Sequence, residues 1–203
     1  MNDIERRILS AGPIEIRKGT PDKATAVTLR GYAAKFDVLS ENLGGFREQI
    51  APGAFADVLG DDIRALFNHD PNHVLGRSTS GTLRVSQDST GLYYEVDLPD
   101  TQAARDLQVS IDRGDVSQSS FAFRVAPNGD TWDENEDGVI IRTITKFARL
   151  YDVSPVTYPA YPDATVGTRS LQAWKASREA QGHQAAAQQR QAAARKRHLA
   201  LIR

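Results

Sequence analysis

A serine hydroxyl attacks a carbonyl well only when a nearby imidazole takes its proton. The imidazole in turn benefits from a carboxylate or second histidine that fixes its tautomer. The chain holds few residues that could build such a set. It has no cysteine, which removes a thiolate nucleophile, a disulfide framework and a sulfur-based zinc site. Of its four histidines, only His69 and His73 fall before the alanine- and glutamine-rich C-terminal stretch, so imidazole chemistry must use one of them. His69 stands where a β-patterned run, Ile63 to His69, meets the polar turn Asn68-His69-Asp70-Pro71. Such a position lets a group reach solvent while staying fixed, and it equally suits an ordinary surface histidine. His73 lies beyond Pro71 and reads as exposed.

The nucleophile candidate is in Asp115-Val116-Ser117-Gln118-Ser119-Ser120-Phe121-Ala122-Phe123. Period-two alternation puts Ser117, Ser119, Phe121 and Phe123 on one face and Val116, Gln118, Ser120 and Ala122 on the other. Ser120 therefore has small neighbours and room for a substrate, although plain polar strand residues fit the same pattern. The acid candidate is Asp152, in Leu150-Tyr151-Asp152-Val153-Ser154-Pro155. A buried acid is costly unless paired, and orienting an imidazole would pair it. A water-facing bend explains it as well.

The elements that must position these residues are short and mostly β-patterned. Val27 to Phe36 reads as a strand, and Thr82 to Leu98 as a hairpin turning at Asp88-Ser89-Thr90-Gly91. Val116 to Val125 reads as a strand, and Val139 to Thr157 as a long β-rich stretch bent or split near Asp152. Phe55, Val58 and Leu59 have helical spacing after Pro52-Gly53. Thr101 to Arg113 is the clearest helix, with Asp100 or Thr101 as cap, Ala104, Leu107 and Ile111 on one face, and Gly114 as its stop. Many strands with few helices predict a mainly β, α+β fold: a closed β-barrel or a sandwich carrying peripheral helices.

From Gln172 to Arg203, seven Lys/Arg face one acid, giving +6, so the remainder carries −7 of the net −1. This tail, rich in Ala, Gln and Arg, has helix propensity but little to bury. The expected organisation is a domain over residues 1–171 and an exposed or disordered helical tail over 172–203. The tail lacks the interleaved aromatics of a nucleic-acid site, so no specific nucleic acid is expected. No apolar run is long enough for a secretory signal or a membrane span, which predicts a soluble intracellular protein. Asp133-Glu134-Asn135-Glu136-Asp137-Gly138 starts like a calcium loop but has Ile144 where a bidentate Glu is needed, so it reads as an acidic hairpin tip. Gly44-Gly45 lacks the phosphate-loop signature. No metal or cofactor is expected. No Gly-x-Ser-x-Gly elbow surrounds Ser120, which disfavours a general esterase of the α/β-hydrolase type.

Taken in order, several blocks resemble the prohead (head maturation) proteases of tailed bacteriophages. They are Gly31-Tyr32-Ala33-Ala34-Lys35-Phe36, Phe46 to Phe55, Leu66 to Pro71 with Val74-Leu75-Gly76-Arg77, Ser119 to Phe123, and Leu150 to Pro162. The resemblance implies a fold related to the herpesvirus assembly proteases, a β-barrel ringed by helices. It implies a serine endopeptidase with Ser120 as nucleophile, His69 as base and Asp152 as third member. It also implies action inside the immature capsid, in the host cytoplasm, on the scaffold or the scaffolding segment of the major capsid protein, and on itself. A homodimer is a further expectation, by analogy with the herpesvirus enzymes. The family serine usually precedes Phe-Gly-Phe, and here the middle residue is Ala122. Relatives often carry Glu at the position of Asp152, so a shorter side chain must reach the imidazole. The oxyanion hole is expected in Pro159-Ala160-Tyr161-Pro162. The rival class is a non-catalytic assembly factor with a protease-like domain.

Overall fold

A computed structural model describes residues 4–7, 14–17, 27–158 and 164–200. Among the described residues the chain is mainly β with two α-helices, and it divides into two compact units, Met1–Ala164 and Thr165–Arg203.

Among the described residues of the first unit, twelve strands form three sheets. The five-stranded sheet has the order β1 (Glu5–Arg7), β9 (Gln118–Val125), β12 (Phe147–Val156), β5 (Arg64–Phe67), β6 (Asp70–Arg77). The four-stranded sheet runs β2 (Glu15–Arg17), β3 (Thr28–Lys35), β8 (Gly91–Asp97), β7 (Leu83–Gln87). The three-stranded sheet runs β10 (Asp130–Glu134), β11 (Ile140–Ile144), β4 (Arg47–Ile50). These ladders are the pairing found, and they do not themselves trace a closed ring.

The sequence pattern explains most of this. Alternation in β8 buries Leu92, Tyr94 and Val96, and Asp88 Oδ1 caps the β7–β8 turn by accepting from Thr90 N (2.7 Å) and Gly91 N (3.1 Å). The first helix, α1 (Gln102–Asp112), starts where Thr101 accepts from Ala104 N (3.3 Å) and buries Ala104, Leu107 and Ile111. Gly114 then takes a left-handed φ of 82°, which glycine adopts without steric cost.

Two expectations need correction. Residues 52–60 form successive turns, not a helix, with i→i+3 bonds such as Ala56 N to Gly53 O and Val58 N to Phe55 O. Gly53 takes a left-handed φ of 84° where the chain enters these turns. The turns still deliver Phe55 and Val58 to the core. Second, the stretch Val139–Thr157 divides at Thr145-Lys146, earlier than expected, into β11 and β12. The irregularity near Asp152 is a register shift within β12, between Leu150 and Asp152.

One hydrophobic core draws on all three sheets: Leu29, Leu92 and Tyr94, then Phe121, Phe123 and Leu150, then Ile50 and Ile144. Phe55 is its aromatic hub. Its ring stacks on Phe147 (4.4 Å between centroids), meets Phe121 edge-on (5.7 Å) and approaches Phe36 (6.1 Å).

The second unit holds most of α2 (Ala164–Ala200), 37 residues long. From Gln172 to Gln191 nearly every side chain is exposed. At that length an Ala-rich segment is helical without a packed face, and Arg178 lies 5.1 Å over the Trp174 ring one turn away. Among the described residues no helix is long and apolar enough to cross a membrane.

Because Phe55 is fully buried and held by turns instead of a ladder, Phe55→Ala leaves a cavity that little can collapse into. A loss of about 3–5 kcal/mol is expected, read as a lower urea midpoint at unchanged slope.

Candidate active site

Three neighbouring strands of the five-stranded sheet bring the candidates together. β12 is central, antiparallel to β9 and parallel to β5. In this register Ser120 faces Ser154, and Asp152 faces Ala122 on one side and Arg64 on the other. Alternation puts Asp152 and Ser154 on the same face as Ser120 and Ala122. The opposite face of β9 sends Phe121 and Phe123 into the core, and there Ser119 hydrogen-bonds the buried Tyr94 hydroxyl at 2.7 Å. Burial pushes that phenol well above its ordinary value, so it remains neutral.

His69 arrives from the β5–β6 hairpin. Phe67 pairs with Asp70, so the loop is only Asn68-His69, and both residues have positive φ (54° and 57°). This is the backbone of a type I′ turn, where Asn-Gly is the usual pair. A histidine in the glycine place costs roughly 1–2 kcal/mol. Strained backbone of this kind persists only where its surroundings fix it. Asn68 supplies that fixing. Its N–H donates to Pro155 O (3.0 Å), and its Oδ1 accepts from Thr157 N (2.9 Å) and Thr157 Oγ1 (3.0 Å).

The imidazole then bridges the two other residues. Nδ1 lies 2.6 Å from Asp152 Oδ1, and Nε2 lies 2.6 Å from Ser120 Oγ. A carboxylate can only accept, so the proton sits on Nδ1 and Nε2 is left to accept from serine. Ser154 Oγ also donates to Asp152 Oδ1 (2.7 Å), which helps hold a buried carboxylate. A register shift in β12 lies immediately before Asp152, between Leu150 and Asp152, and such irregularities are common beside functional sites. His73 stays apart, half exposed and 3.9 Å from Asp70.

Sequence reasoning missed what covers Ser120. The pattern predicts room for a substrate beside Ser120, yet the residue is fully buried. β1 lies along the free edge of β9, pairing Glu5 with Phe123 and Arg7 with Phe121, and Ser120 Oγ also lies 3.0 Å from the Arg7 carbonyl. The hydroxyl has one proton, so His69 Nε2 and the Arg7 carbonyl compete for it. Only strand propensity could have signalled β1, and a three-residue Glu-Arg-Arg strand carries almost none.

The side chains of β1 are equally engaged. Arg7 Nε donates to Glu48 Oε1 (2.9 Å), and Arg142 Nη1 donates to Glu5 Oε2 (2.9 Å) and Glu48 Oε2 (2.8 Å). Arg142 Nε reaches Asp130 Oδ2 at 2.7 Å. Glu5, Arg7, Glu48 and Arg142 are all at least nine-tenths buried.

The other sequence features resolve simply. The acidic run Asp133–Gly138 closes the β10–β11 hairpin, where Asn135 Oδ1 accepts from Asp137 N and Val139 N. Among the described residues no three His, Asp or Glu gather as metal ligands. The segment expected to hold an oxyanion, Pro159–Pro162, lies outside the described residues. A cavity of about 240 Å³ sits beside the start of α1, lined by Val27, Pro99 and Gln108, and has no residue in common with the His69 cluster.

An acid, an imidazole and a hydroxyl in series are the arrangement that serine hydrolases use. The family model for the caudovirus prohead serine protease matches residues 13–177, so the chain belongs to that family, whose members are peptidases of phage capsid assembly. Among solved structures the chain is similar to the bacteriophage T4 capsid assembly protease, gp21. That match is 13% identical, covers 76% of this chain and 99% of that one, and has a TM-score of 0.48. No curated protein sequence gives a significant match.

The 2.6 Å contact between His69 Nδ1 and Asp152 Oδ1 is a short, charge-assisted hydrogen bond. Its proton is expected far downfield of ordinary imidazole N–H signals in the ¹H NMR spectrum, and Asp152→Asn should return it upfield.

Proposed function

We propose that this chain is a serine endopeptidase that cleaves the capsid scaffold, or the scaffolding segment of the major capsid protein, and itself during phage head maturation. Ser120 is the nucleophile, His69 the general base and Asp152 the group that orients it. The observation that carries the reading is the single imidazole within 2.6 Å of both Asp152 and Ser120.

The steps follow from that geometry. Ser120 Oγ attacks the scissile carbonyl while its proton passes to His69 Nε2. Asp152 stabilises the imidazolium through Nδ1–H and keeps its own charge. The proton then passes to the leaving amine, which departs and leaves an acyl-serine. Water, deprotonated by the same imidazole, hydrolyses the ester and regenerates the hydroxyl. Backbone N–H groups of Pro159–Pro162 that retain a hydrogen, those of Ala160 and Tyr161, are our candidates for holding the oxyanion.

Self-cleavage is supported by β1, which places its own carbonyl against the nucleophile. The core shared by all three sheets supports reading them as walls of one barrel, with α1 packed on its outside. We also read residues 1–171 as the protease domain and 172–203 as its basic tail. The rival reading, an assembly factor that binds scaffold and cuts nothing, leaves the strained histidine and its two short contacts without a purpose.

Co-expression with the major capsid protein and scaffold tests the assignment. Ser120→Ala or His69→Ala should reduce proteolysis at least about 10⁴-fold, leaving full-length partners on a gel, while His73→Ala should cleave normally. Full cleavage by Ser120→Ala would remove the nucleophile from the account.

A further inference from the structure

The strand that covers Ser120 sits in a site shaped to its charges. The edge of β9 away from β12 is paired only with the three-residue β1, and its backbone groups there can take any extended peptide that replaces β1. Selectivity must come from side chains. Two are available on the three-stranded sheet, at paired positions in the parallel β4–β11 ladder: Glu48 and Arg142. Each is almost fully buried, and each meets the opposite charge on β1, Glu48 with Arg7 (2.9 Å) and Arg142 with Glu5 (2.9 Å). The Arg7 guanidinium also lies 5.8 Å from the centre of the Phe123 ring. Glu5 and Arg7 are two residues apart, so they share a face of the strand. Reversing their order would set Arg against Arg142 and Glu against Glu48 in a site without water to screen them.

We propose that Glu48 and Arg142 are the specificity-determining residues of this protease, and that they select extended substrates carrying an acid-x-base triplet, cleaved after the basic residue. The proposal rests on the protease reading above and adds a substrate class to it. β1 occupies the site as such a substrate: Glu5 fills the acid position, Arg7 the base position, and the Arg7 carbonyl lies beside Ser120 Oγ. The bond cut in self-cleavage is then Arg7–Ile8. A base-x-acid triplet would set like charges against Glu48 and Arg142 in a buried site, and a neutral triplet would leave those two paired only with each other (2.8 Å) and with Asp130, forfeiting both ion pairs to the substrate.

The test uses the full chain and three labelled peptides spanning residues 1–12: the native sequence, one with Glu5→Gln and Arg7→Gln, and one with Glu5→Arg and Arg7→Glu. The chain's own β1 competes equally with all three, so their ratio reports selectivity. Cleavage of the native peptide should exceed that of the reversed one by at least about 100-fold in kcat/KM, with the new terminus at Ile8. Glu48→Arg combined with Arg142→Glu should invert the order. Equal cleavage of all three peptides overturns the proposal, whether or not that double variant folds. Binding of the same peptides to the Ser120→Ala chain gives a second readout. If nothing is cleaved but the native peptide still binds best, the protease reading fails and the selectivity stands. If binding shows no preference, the selectivity fails.

Discussion

His69 can touch Asp152 and Ser120 together only because β5 and β6 reverse over two residues in left-handed backbone. A longer loop would let the imidazole swing, and an ordinary right-handed turn would splay the strands. The conformation is unfavourable for His69, so it must be held from outside. The end of β12 does this through Pro155 and Thr157, which bond Asn68. β12 is also the strand that carries Asp152 and faces Ser120 through Ser154. The strand that clamps the turn therefore also sets the distances to both partners of the imidazole. This is preorganisation by a sheet: the relative positions of the three residues are fixed by ladder hydrogen bonds instead of by flexible loops.

The same sheet sets how a strand can lie beside Ser120. Ser120 lies on β9 next to an edge, and an edge strand is a template for another strand. Here the partner comes from the chain's own N-terminal region. Its three residues could not hold a ladder by backbone bonds alone. The ion cluster around Glu48 and Arg142 compensates, with each buried charge matched by an opposite one. Removing any one member would strand a charge in the interior, which costs several kcal/mol, so the four charged side chains stand or fall together.

Much of this was legible in the sequence, unevenly. The β7–β8 hairpin and α1 could be read because alternation, an Asp-containing turn, a Thr cap and a glycine stop all agree locally. The two faces of β9 followed from period-two alternation. His69, Ser120 and Asp152 were nameable only as possibilities, since each fits a bland position equally well and the distances between them are long-range facts. The family blocks, read in order, singled them out. What could not be read depends on tertiary context. The turns at 52–60 close by i→i+3 bonds and still bury Phe55 and Val58, so a helical spacing there marks a core-facing side and not an α-helix. β6 was hidden by Pro71 and its polar start. β1 owes its existence to charges that lie more than forty residues away in Glu48 and Arg142.

The central claim is that Ser120 is a nucleophile activated by His69. Labelling with a fluorophosphonate probe, followed by peptide mass spectrometry, tests it most directly, because the reagent reports serine activation without any knowledge of the substrate. The account predicts one adduct, on Ser120, that disappears in His69→Ala and persists in His73→Ala. An adduct on another serine, or one on Ser120 that forms equally well without His69, would contradict it.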